Sequence, residues 1–161
     1  IIQRDWSSDV CSSDLGVSRP YRHLDDTSQA LAQARLASQT VPPRTTGVAT
    51  YGNEPVDIFI VSAPVAAEQL ARAVLGAVLE LAPVERDPLL DTVRTWLAVG
   101  GWTAEAAARL HLHRNGVRYR LNRFEELVGR RLATPAELAE VHLALQAATI
   151  LGLSAPVSPS P

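Results

Sequence analysis

The stretch from Trp102 to Gly129, WTAEAAARLHLHRNGVRYRLNRFEELVG, leaves the chain few ways to fold. It reads as two helices joined by a three-residue turn. Thr103 is the expected N-cap, followed by AEAAARL, a run of strong helix formers. Ala106, Ala107 and Leu110 recur at helical spacing, and Leu112 fixes the corner. A second helix follows, RNGVRYRLNRFEELV. Its Val117, Leu121, Phe124 and Val128 form one apolar stripe. At about 100° per residue, the opposite face carries Asn115, Arg118, Tyr119 and Asn122, with Arg123 at its edge. A short helix, a tight turn and a second helix with a polar, cationic outer face is the helix-turn-helix pattern.

Charge is distributed to match. Thr103 to Arg131 holds seven Arg and three Glu, a balance of +4 in a chain whose net charge is −2. The remainder is therefore −6, and one basic segment in an acidic protein suits an anionic partner at that segment. The competing reading is a solvated basic face on an ordinary helical hairpin. A second competitor is a helical interaction module whose Arg-rich face binds an acidic protein.

The segment TAEAAARLHLHRNGVRYRLNRFEELVGRRLATPAELAEVHLALQA resembles the C-terminal helix-turn-helix of PucR/CdaR-type bacterial transcription regulators. That module is similar to the DNA-binding end of Fis. The likeness covers about Leu89 to Leu151 and is most specific in LHLHRNGVRYRLNRFEEL. His111 stands where many such units have Gly, and His tolerates the left-handed conformation better than most residues. Gly116 stands where the family usually has Thr, which removes a hydroxyl able to reach a phosphate. The resemblance implies a sequence-specific DNA-binding regulator whose effector-sensing domain lies upstream.

The rest of the chain is less specific. Residues 1–15 are expected to be an artefactual or disordered leader, because DWSSDVCSSDL resembles a translated sequencing adapter. Its Cys11 is the sole cysteine, so neither an internal disulfide nor a cysteine-based metal site is expected. The chain has no Met, initiator included, which points to a piece of a longer protein. Residues 16–82 are read as a partial GGDEF-like domain. There GVSRP, a loop, and a helix capped by Asp25 or Asp26 with Leu31, Ala34 and Leu36 on its apolar side resemble the degenerate GGDEF-like domain of the same regulators. The acidic Gly-Gly motif of a working cyclase is missing. VDIFIV, Val56 to Val61, has strand propensity, but so short an apolar run is also compatible with helix. Ser62 and Pro64 open a helix with Leu70, Val74, Ala77, Val78 and Leu81 in phase, and Pro83 stops it.

Residues 83–87 are read as a linker, and 88–153 as the helix-turn-helix domain. Asp87 and Pro88 should cap a helix burying Leu89, Leu90, Val93, Trp96 and Leu97, with Trp96 central; Trp102 is expected in the same core, the alternative being a place flanking the DNA backbone. Thr134 to Glu137 reads as a capping box. The helix it opens carries Leu138, Val141, Leu145 and Ala148 on one side, with Leu143 and Ile150 on another. Such a helix is buried on two sides, within its own bundle or against a partner subunit. Residues 154–161 are expected to be a disordered tail.

Catalytic chemistry finds no foothold. His111-x-His113 lacks a third ligand, Glu125 and Glu126 read as solvent or salt-bridge residues, and no phosphate loop, nucleophile elbow or HExxH occurs. Together these features predict a mainly α protein: a helix-turn-helix bundle preceded by a truncated α/β GGDEF-like remnant. The expected function is transcription regulation, cytoplasmic, without enzyme activity, cofactor, metal or membrane. The expected partners are double-stranded DNA and a second copy of the chain, as a homodimer or higher oligomer. A small-molecule effector would bind the missing upstream domain. Arg114, Asn115, Arg118 and Asn122 are the expected base readers. Thr103, His113, Tyr119, Arg120 and Arg123 are the expected phosphate contacts.

Overall fold

The computed structural model describes residues 14–43 and 45–153. In order they form β1 (Leu15–Val17), a 3₁₀ turn at Leu24–Asp26, α1 (Thr27–Gln39), β2 (Val48–Thr50), α2 (Pro55–Ser62), α3 (Pro64–Leu79), α4 (Pro83–Ala98), α5 (Thr103–Arg109), α6 (Arg114–Val128) and α7 (Pro135–Ile150). The protein is mainly α, with two short strands among the described residues. No single helix there is long and apolar enough to cross a membrane. The chain divides into two compact units. One runs to Glu68 and includes Gln146–Leu153; the other is Gln69–Leu145.

In the first unit β1 and β2 pair in parallel, Leu15 opposite Val48 and Val17 opposite Thr50, with α1 connecting them. Parallel neighbours need such a crossover. Helix α1 buries Ala30, Ala34 and Ala37 at i, i+4 and i+7. It lies so close to β1 that a Cβ at Gly16 would fall 1.8 Å from the Ala34 carbonyl oxygen. The small residues in both elements are the means of that approach. Leu15 belongs to β1 and its N–H donates to the Gly47 carbonyl, so the expected leader ends at least one residue earlier. The leader's residues 1–13 lie outside the described residues, as does the expected tail.

One alternative left open by the sequence is resolved, and one expectation about local structure needs correction. The run VDIFIV is helical, within α2. Pro55 takes the first-turn position it suits, Asp57 complements the helix N-terminus, and Ile60 and Val61 are buried. Here the start signal outweighs β-branched propensity. The expected linker 83–87 is the first part of α4, which starts at Pro83 with Pro88 inside it. The N–H groups of Glu85 and Arg86 both reach the Ala82 carbonyl, so the turn closes ahead of Pro88. Pro88 cannot donate to Val84, but Val84 is 80% exposed and water can take its carbonyl.

In the second unit α4, α5 and α6 pack on one another. Leu89, Leu90, Thr92 and Val93 of α4 are buried. Trp96 is half-buried, its ring against Gly101, which has positive φ as does Gly100. Trp102 is not in this core: it is 72% exposed beyond the Gly-Gly bend. Helix α7 buries Val141, Ala144 and Leu145 here, and Ala147, Ala148 and Ile150 in its last part, which belongs to the first unit, a wide apolar surface as its sequence implied. Its expected capping box is redrawn. The Thr134 N–H donates to the Arg131 carbonyl, and the Glu137 carboxylate accepts from the Arg131 N–H instead.

Candidate nucleic-acid interface

Helix α5 ends in a Schellman turn. The Leu112 N–H reaches the Ala107 carbonyl at 2.9 Å and the His111 N–H reaches Ala108 at 3.2 Å. This requires a left-handed residue between them. His111 supplies it at φ 53°, the one non-glycine with positive φ among the described residues. Ala106 and Ala107 are buried, so α5 sits close on its neighbours. Thr103 is not the N-cap; Trp102 occupies that position without a side-chain cap, and Thr103 is half-buried in the first turn.

Helix α6 begins at His113, whose Nδ1 accepts the Asn115 N–H at 3.3 Å. A ring nitrogen that accepts carries no proton, so in this tautomer Nε2–H is the donor left for a partner. Val117, Leu121, Phe124 and Val128 are all buried, which fixes the orientation of the helix. Gly129 stops it in the left-handed conformation. The Glu125 carboxylate, expected to face solvent or a cation, accepts the Leu132 N–H at 2.7 Å and holds the following turn.

With the stripe buried, Arg114, Asn115, Arg118, Asn122 and Arg123 are exposed, and Tyr119 is 72% exposed. Arg123 lies 3.5 Å from Glu126, and Arg109 of α5 lies 3.4 Å from Glu105. Exposed pairs of this kind are worth at most about 1 kcal/mol and yield readily to a phosphate. Arg114 and Arg118 have no ion pair among the described residues. The expected base readers thus share one solvent-facing surface with Tyr119 and Arg123, while His113 stands at the head of the helix. Arg120 departs from this surface. It is half-buried, and its Nη1 donates to Thr92 Oγ1 of α4 at 3.3 Å. Sequence spacing marks Arg120 only as one more cation, because its partner lies 28 residues away. Away from the face, burial pulls the Arg94 guanidinium below its ordinary pKa against the opposing pull of Asp91 and Asp87. The hydrogen bond to Glu140 pushes Arg130 up.

A buried-stripe helix following a Schellman corner, braced by a preceding helix, defines a helix-turn-helix domain. Residues 89–147 match the PucR C-terminal helix-turn-helix domain. It is 30% identical over 136 residues to the purine catabolism regulatory protein of Bacillus subtilis (strain 168), covering 82% of this chain and 25% of that protein. It is 38% identical over 79 residues to an uncharacterized protein in the pkwA 5′ region of Thermomonospora curvata, covering 49% of this chain and 43% of that one. The chain thus spans a quarter to somewhat under half the length of these relatives. A solved regulator of polyketide synthase expression from Bifidobacterium adolescentis is 28% identical, with a TM-score of 0.47. That match covers 74% of this chain and 50% of the other.

Proposed function

We propose that this chain is part of a transcription regulator and binds duplex DNA through α6 in the major groove. One observation carries the reading: Asn115, Arg118, Tyr119 and Asn122 are exposed together on the face opposite a fully buried stripe. Residues near the start of a recognition helix go deepest into the groove. Arg118 suits the O6 and N7 acceptors of guanine, and Asn115 the N6 and N7 pair of adenine, with Arg114 and Asn122 flanking them. His113, Tyr119 and Arg123 hold phosphates. Dimerisation is part of the proposal, because such units read two half-sites about one helical turn apart. Residues 16–82 are part of a GGDEF-like domain, a reading supported by the parallel β1–α1–β2 unit. The effector binds upstream of it.

The test is a duplex library selection followed by affinities over a salt series. Log affinity for the selected site should fall steeply with log salt. Arg118→Ala should cost about 1–3 kcal/mol at that site and relax preference at one base pair. Folded protein that binds no duplex at low salt but captures an acidic protein would replace this reading with the interaction module.

A further inference from the structure

Four arginines lie along α6, and three of them, Arg114, Arg118 and Arg123, are exposed. Arg120 falls beside the apolar stripe rather than opposite it and turns back to α4. Its Nη1 donates to Thr92 Oγ1 at 3.3 Å. Thr92 is 0% exposed, and its own hydroxyl donates to the Pro88 carbonyl at 2.6 Å. A hydroxyl has one proton and two lone pairs, so it can give to α4 and receive from α6 at once. The chain of bonds Arg120 to Thr92 to Pro88 is therefore complete in donors and acceptors.

We propose that Arg120 is a positioning residue, not a phosphate contact: through Thr92 it fixes the rotation and register of the recognition helix on α4. This rests on the DNA-binding reading of α6. The physical need is clear from the rest of the contact. Val117, Leu121, Phe124 and Val128 supply apolar burial, which is non-directional and tolerates small slides and rotations. Hydrogen bonds to base edges do not, since they weaken steeply with angle and distance. A directional, partly buried bond from the recognition helix to its brace removes that freedom. Phosphate contacts alone cannot, because they are made only after docking.

The two roles separate by salt dependence. A lost phosphate contact weakens all sequences and lowers the log–log salt slope by about one. A lost positioning contact spoils discrimination and leaves the slope alone. The experiment compares the full chain with Arg120→Met, Thr92→Val, Thr92→Ser and the Arg120→Met/Thr92→Val double variant. Each is measured on the selected duplex and on a scrambled one over a salt series, with circular dichroism as a folding control. Arg120→Met and Thr92→Val should each cut the selected-to-scrambled affinity ratio about tenfold. The double variant should do no worse than either, and the slope should stay unchanged. Thr92→Ser, which keeps the hydroxyl, should match wild type. If Arg120→Met fails to fold, the contrast between Thr92→Val and Thr92→Ser still decides, and equal discrimination by those two overturns the proposal. So does a slope lowered by about one in Arg120→Met with Thr92→Val silent. If those variants match wild type while Arg118→Ala loses preference, the positioning role falls and DNA reading stands. If wild-type protein binds neither duplex, both fall.

Discussion

The β1–α1 layer and the α4–α6 bundle are both assembled from short elements, but different atoms hold them together. In the first, backbone meets backbone: α1 rests on Gly16 through the Ala34 carbonyl and the Ser38 nitrogen. In the second, side chains fill the space: Phe124, Val117, Val93 and Leu90 are fully buried between helices. Close backbone approach depends on what is missing from a side chain, whereas side-chain packing depends on what is present. The first kind of contact tolerates no addition, and the second no removal.

Removal from the bundle should have the largest effect. Phe124→Ala deletes a fully buried ring and should cost about 3–5 kcal/mol in denaturant unfolding. Amide exchange should show the loss across α4, α5 and α6. An effect under 1 kcal/mol would mean that the bundle is not held by its stripe.

Addition to the layer comes next. Gly16→Ala places a Cβ 1.8 Å from the Ala34 carbonyl oxygen and 2.6 Å from the Ser38 nitrogen, both backbone atoms that cannot rotate aside. It should destabilise the first unit by about 1–3 kcal/mol. Exchange should speed up in α1 and the strands while α5 and α6 keep their protection. A silent Gly16→Ala would refute the close contact.

The smallest effect runs in the opposite direction and sharpens the contrast. Gly116 lies in the first turn of α6, and a Cβ there would meet nothing within 4 Å. Gly116→Ala should therefore stabilise the domain by about 0.5–1 kcal/mol, from helix propensity alone. A loss of thermal stability in that variant would show that the glycine is needed where no contact explains it.

Much of the bundle was legible from the sequence alone. The spacing of Val117, Leu121, Phe124 and Val128 determined which face of α6 is buried, and hence that Asn115, Arg118, Tyr119 and Asn122 are exposed. Periodicity is a property of one helix, so no other part of the chain is needed to read it. The left-handed corner at His111 was legible for the same reason, since it is a local conformational preference. What only the tertiary structure decided is where polar groups find partners. Glu125 and Glu137 were spaced like surface or capping carboxylates, yet each takes a backbone N–H from the turn after α6. Trp102, apolar enough for a core, is turned out by two glycines with positive φ. Arg120 is one arginine among several until α4 brings Thr92 beside it. A hydrogen bond needs its partner within about 3 Å, and for Arg120 the chain supplies that partner only after α4 and α6 have packed.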